Sequence, residues 1–211
     1  MKKYIVEFLG TFFLVLTVIL TVNGTAGAFA PIAIGSILMV MIFAGGHISG
    51  GHFNPAVTLG VWIRGKCATL DVPGYIIGQT LGGLVAASAG SYLLDHMPNA
   101  SGIQIGAEFD FLPGVLTEFI GTFAIVWVVL QTATSKGTEG NSFYGLAIGF
   151  TVMACAYALG GITGGAFNPA VATGVSAVGM TVWANFTTFL VGQLLAGACA
   201  ALLFKFTNDE D

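Results

Sequence analysis

The chain is written in long apolar runs separated by short polar ones. Apolar residues fill about Tyr4 to Val22, Pro31 to His47 and Pro73 to Leu94. They do so again over about Pro113 to Gln131, Ser142 to Leu159 and Trp183 to Phe204. Each run has the ~17–25 residues that a helix needs to cross a bilayer core. Two further apolar segments, Asn54 to about Ile63 and Asn168 to about Ala177, are too short. About 10 residues at about 1.5 Å each reach only half way across. The pattern predicts an all-α membrane protein of six transmembrane helices and two re-entrant half-helices.

Both half-helices open on one tripeptide, Asn54-Pro55-Ala56 and Asn168-Pro169-Ala170. Asn followed by Pro is a strong helix start, with Asn as N-cap and Pro at the first helical position. The cap uses the Asn side-chain oxygen internally. Its amide NH2 is then expected to donate outward, at the positive end of a helix. Glycine-rich stretches lead in from Gly45 and from Gly160.

The two halves repeat, over about 1–97 and about 112–208 of a single 1–211 domain. Glu7-Phe8-Leu9-Gly10-Thr11-Phe12 returns as Glu118-Phe119-Ile120-Gly121-Thr122-Phe123. The tripeptides lie 114 residues apart, and Gly78-Gln79 matches Gly192-Gln193 at the same offset. Three spans per half is an odd number, so the halves lie inverted in the membrane. Inversion brings the two Asn-Pro ends together near the midplane.

Composition agrees: 55% of the 211 residues are hydrophobic and 8% charged, with a mean hydropathy of +0.89. The 31 glycines fit close helix packing in lipid. Cys67, Cys155 and Cys199 form no CxxC pair and imply neither a disulfide framework nor a metal site. Charge placement sets the sidedness. In this layout Lys2, Lys3, Arg64, Lys66, Lys136 and Lys205, all the Lys and Arg of the chain, share one side. Asp95, Glu108 and Asp110 fall on the other. That pattern places both termini in the cytoplasm, with the cell membrane the expected location.

These motifs resemble those of the aquaporin, or major intrinsic protein, family across essentially the whole chain. The resemblance rests on GGHISGGHFNPAVTLGV, GGITGGAFNPAVATGV, the paired ExxGT motifs and six spans. It implies a homotetramer in the lipid bilayer with one pore per subunit, passing water and small neutral solutes and using no cofactor or metal. It also implies a ladder of backbone carbonyls from Gly51, His52 and Phe53 and from Gly164, Gly165, Ala166 and Phe167. The implied apolar pore wall includes Leu14, Leu38, Ile125 and Val152. The narrow outer filter maps to Ile34, Ala156, Gly165 and Val171. The family's usual Arg after the second tripeptide is replaced here by Val171, and the acidic residue of glycerol channels by Ala172. A filter without charge, aromatic ring or imidazole is expected to be wide. The expected function is a passive channel for water and small neutral solutes, glycerol, urea, ammonia or hydrogen peroxide among them. The alternatives are a strict water channel and a secondary transporter with broken helices.

Other polar residues have plainer readings. Glu7 and Glu118 lie within spans, where ionisable groups are costly and usually functional. Proton coupling is one reading; bracing the re-entrant loops by accepting their N–H groups is the favoured one. His47 and His52 lack a third metal ligand nearby and read as loop hydrogen-bonding residues. Nothing in the chain forms a nucleophile–base constellation or a basic nucleic-acid surface, so neither an enzyme nor a nucleic-acid binder is expected.

Overall fold

The computed structural model describes residues 1–103 and 108–208. The polar stretch between the third and fourth spans and the acidic tail therefore lie partly outside the described residues. Eight α-helices follow in chain order: α1 (Lys2–Asn23), α2 (Ala30–Ser49), α3 (Pro55–Arg64), α4 (Val72–Asp95), α5 (Phe111–Val129), α6 (Tyr144–Thr163), α7 (Pro169–Ala177) and α8 (Phe186–Thr207). Six are long, and α3 and α7 are half-length. The described residues contain no strand. This is the form lipid demands, because a helix satisfies its own backbone polar groups where no water can.

Among the described residues, five helical segments are both long and apolar enough to cross a membrane. The sixth long helix, α4, has 24 residues, about 36 Å at 1.5 Å per residue, but it carries Gly, Ser, Thr and Gln. Its glycines serve packing. Gly83 of α4 meets α7: a Cβ there would stand 2.6 Å from the Ala170 carbonyl oxygen. Gly197 of α8 meets α3 in the same way, 2.6 Å from the Ala56 carbonyl oxygen. Each half-helix thus packs on the third long helix of the opposite repeat, which interlocks the halves. Within each repeat α1 packs on α4, and α5 on α8. Helices α2 and α6 meet across the pseudo-twofold axis. The half-helices fill the middle of this frame, where Ala56, Thr58, Ala170 and Ala172 are fully buried.

Candidate functional site

The glycine-rich approaches are mostly helical. Helix α2 runs through Gly45 and Gly46 to Ser49, and α6 through Gly160 and Gly161 to Thr163. Irregular backbone is confined to 50–53 and 164–167, shorter than the sequence suggests. The physical reason is that helix keeps carbonyls bonded at membrane depth. Gly50 (φ 88°) and Gly164 (φ 86°) end the helices in the left-handed region, where glycine carries no Cβ penalty. Phe53 and Phe167 share φ 48°, a conformation costing a non-glycine residue roughly 1–2 kcal/mol. Their buried rings press on Gly10 and Gly121, where any Cβ would collide.

Two carboxylates hold these strained loops. Glu7 Oε1 accepts from Ser49 Oγ (2.6 Å) and His52 N (3.0 Å); Oε2 accepts from Phe53 N (2.6 Å) and Gln79 Nε2 (2.8 Å). Glu118 repeats the set with Thr163 Oγ1 (2.6 Å), Ala166 N (3.2 Å), Phe167 N (2.7 Å) and Gln193 Nε2 (2.8 Å). Both side chains are fully buried. Every carboxyl oxygen of the pair thus faces donors.

Each loop delivers an Asn cap to the centre. Asn54 Oδ1 accepts from Ala56 N (2.8 Å), and Asn168 Oδ1 from Ala170 N (2.9 Å). The amides are not wholly free to face a solute. Asn54 Nδ2 donates to Phe167 O (3.0 Å), and Asn168 Nδ2 to Phe53 O (2.8 Å). One hydrogen of each NH2 therefore ties the half-helices together, which leaves one for a solute. The Phe53 and Phe167 carbonyls, expected in the ladder, each spend one acceptor site on that tie. Inversion explains it: each loop's last carbonyl is presented to the other helix's cap.

A cavity of about 280 Å³ runs through this junction. Its lining gathers Asn54 and Asn168, the loop residues Gly51, His52, Phe53, Gly164, Gly165, Ala166 and Phe167, and the wall residues Leu14, Leu38, Ile125 and Val152. Ile34, Ala156 and Val171 line it too. Pro55, Ala56, Pro169 and Ala170 do not; they pack back into the helical frame. Glu7 and Glu118 stand behind the loops, away from the lining. At one end a wider vestibule of about 760 Å³ is lined by Lys3, Lys66, Lys136, Asp71 and Glu139. Lys3 is paired with Asp71 there, which also accepts from Tyr4 Oη at 2.7 Å. That partnership holds the Asp71 carboxyl below its usual range. His52 borders both spaces and is held by Thr58 Oγ1 at 3.1 Å. Among the described residues no three His, Cys, Asp or Glu gather to hold a metal ion.

A path lined by apolar walls and a few central donors is the geometry of a channel. Residues 1–204 match the family described as Major intrinsic protein. The chain belongs to the major intrinsic protein family. It is 34% identical to "Aquaporin NIP1-1" of Zea mays, over 98% of this chain and 76% of that one. It is 31% identical to "Aquaporin AqpM" of Methanothermobacter thermautotrophicus, over 99% and 98%. It is 34% identical to "Glycerol uptake facilitator protein-like 6" of Lactiplantibacillus plantarum, over 96% and 98%. In fold it is similar to the aquaglyceroporin from Plasmodium falciparum, with a TM-score of 0.77 and 23% identity over 99% and 95% of the two chains. Members of the major intrinsic protein family are passive channels, and this one is a membrane channel and not an enzyme.

Several lining residues of this major intrinsic protein do not stand out in its sequence. Val18 and Val22 follow Leu14 at helical spacing on α1, so periodicity alone could have found them. Val57 is the mate of Val171 at the repeat offset of 114. Met180, Thr181 and Phe189 carry no such signal. They come from the α7–α8 connection and the start of α8, whose course only the structure gives.

Proposed function

We propose that this channel passes water together with neutral solutes larger than water, such as glycerol, urea and hydrogen peroxide. The observation that carries the reading is the uncharged outer lining, Ile34, Ala156, Gly165 and Val171, around a continuous cavity. An Arg in place of Val171 would add both bulk and a fixed cation. Its absence leaves size exclusion to short side chains and ion exclusion to the two half-helix ends. The name of the glycerol facilitator relative supports a solute wider than water. The carbonyls of 51–53 and 164–167 act in this reading as the acceptor ladder, and Leu14, Leu38, Ile125 and Val152 as its apolar partner wall. Glu7 and Glu118 act as the braces that aim the ladder. The assembly we propose is a homotetramer with one pore per subunit.

Light scattering from proteoliposomes tests the substrate range, with water, glycerol, urea and hydrogen peroxide as probes. Val171→Arg should lower the glycerol-to-water permeability ratio by about tenfold, roughly 1.4 kcal/mol of barrier. A wild type that excludes every solute larger than water would sink the wide-filter reading.

The orientation we propose puts the lysine-lined vestibule in the cytoplasm, with both termini. It rests on all six cations falling at one end. With the three native cysteines replaced by Ser, Asn99→Cys should react with an impermeant thiol reagent outside intact cells. Lys136→Cys should react only after permeabilisation. Both positions are exposed, so reversed labelling overturns the assignment.

A further inference from the structure

The outer end of the cavity holds a side chain that the filter positions do not include. Helix α7 ends in a tight reversal: Gly179 has φ 86°, Met180 N donates to Val175 O at 2.8 Å and Gly179 N to Ser176 O at 3.1 Å. Those two bonds define a Schellman motif, which brings the residue after the glycine back over the last helical turn. Val171 and Val175 lie one turn apart on the cavity face of α7, and the reversal sets Met180 beside them on the same lining. Repeat 1 builds the same reversal with Gly65 (φ 88°) and a 3.0 Å bond from Lys66 N to Val61 O. There the returning residue is Lys66, which lines the vestibule at the other mouth. One backbone device thus presents a charged side chain at one mouth and a thioether at the other.

The thioether is seated. Asn23, the last residue of α1, is fully buried. Its Nδ2 donates to Ile19 O at 2.9 Å and contacts Met180 Sδ at 3.2 Å. Its backbone carbonyl accepts from Ser101 N at 3.0 Å and Ser101 Oγ at 2.9 Å. The loop after α4, the end of α1 and the reversal after α7 therefore meet at this one Asn. Val22, the residue before Asn23, lines the same cavity. An unbranched Met side chain has three rotatable bonds and adapts to irregular space; a donor on its sulfur biases it to one placement.

We propose that Met180, positioned by Asn23, is a specificity-determining lip of the outer pore. It occupies part of the space that a short Val171 leaves and sets the upper size of the neutral solute admitted. This rests on the channel reading above but not on which solutes the wild type passes. The test is the glycerol-to-water permeability ratio in proteoliposomes of the full chain, a ratio being insensitive to the amount of folded protein. Met180→Ala should raise it by about tenfold, the scale on which one or two methylenes discriminate in an apolar pocket. Met180→Leu, similar in bulk, should leave it near wild type. Asn23→Ala should raise it in the same direction by less, because the lip loses its seat and keeps its bulk. An unchanged ratio in Met180→Ala overturns the proposal, and an unchanged ratio in Asn23→Ala removes Asn23 from it. A second readout does not depend on truncation. Met180→Cys, with the native cysteines replaced by Ser, should lose glycerol flux when a charged methanethiosulfonate is added outside. Full modification with unchanged flux places residue 180 off the path and overturns the lip. A wild type that passes water and not glycerol defeats the wide-filter reading alone; a ratio that then rises in Met180→Ala still upholds the lip.

Discussion

Glu118→Ala should leave almost no assembled channel, and Glu7→Ala should behave alike. The prediction follows from what the carboxylate leaves behind. At Glu118 the loop N–H groups of Ala166 and Phe167, the Thr163 hydroxyl and the Gln193 amide lose their common acceptor. Each orphaned buried group costs about 1–3 kcal/mol, and four of them rival the ~5–15 kcal/mol by which a domain is stable. The strained Phe167 adds to the loss, since its N–H loses its acceptor and its left-handed backbone is then held only by the Asn54 tie to its carbonyl and by its buried ring. Glu118→Gln separates charge from geometry. Its amide can keep one oxygen on Phe167 N and Gln193 Nε2. The NH2 then faces the Thr163 hydroxyl and Ala166 N; the Thr163 bond must reverse, on an oxygen that already accepts from Gly165 N, and the bond to Ala166 N is lost. The Gln variant should therefore assemble with a lowered melting temperature, and the Ala variant should aggregate. Size-exclusion chromatography in mild detergent and the thermal loss of helical circular dichroism read both outcomes. A fully assembled Glu118→Ala with wild-type melting would show that the loops stand without their brace.

How much of this fold and site is legible in the sequence depends on the kind of residue. The long helices, the half-helices and their caps can be read because lipid restricts the chain to few forms. An apolar run of the right length has one reading, and Asn-Pro has one preferred place at a helix start. Glu7 and Glu118 can be paired because the repeat aligns them, although the repeat does not assign Gln79 and Gln193 as their partners. What escapes the sequence is local closure. Nothing in Gly45-Gly46 says that α2 continues through them to Ser49. Nothing in Asn54 says that its amide donates to a carbonyl 113 residues away. That bond depends on two inverted copies meeting, a tertiary fact with no local signature. Met180 is invisible for a related reason: a Schellman reversal aims the residue after its glycine, and the target of that aim lies on α1.

The central tie also fixes what a charge there would do. Asn54→Asp keeps the cap, because a carboxylate oxygen still accepts from Ala56 N. It removes the donor to Phe167 O and sets a negative oxygen against that carbonyl. With the second substitution, Asn168→Asp, two carboxylates and the carbonyls of Phe53 and Phe167 form an oxygen cluster at the midplane. Such a cluster suits a cation. A unit charge at 4 Å is worth about 4 kcal/mol at an effective dielectric near 20, close to a thousandfold in cation occupancy. The half-helix ends oppose this with about half a unit of positive charge each, so a full anionic charge prevails over the end it caps. Each single variant should therefore show a cation conductance above wild type in planar bilayers, and the double variant a larger one, with water flux kept within about an order of magnitude. Repulsion between the new carboxylates and the carbonyls should also lower the melting temperature, which detects the broken tie independently of conductance. Assembled variants with lowered melting but unchanged cation and proton conductance would place the ion barrier elsewhere along the pore. The uncharged lining at Ile34, Ala156, Gly165 and Val171 would then have to exclude ions by desolvation alone.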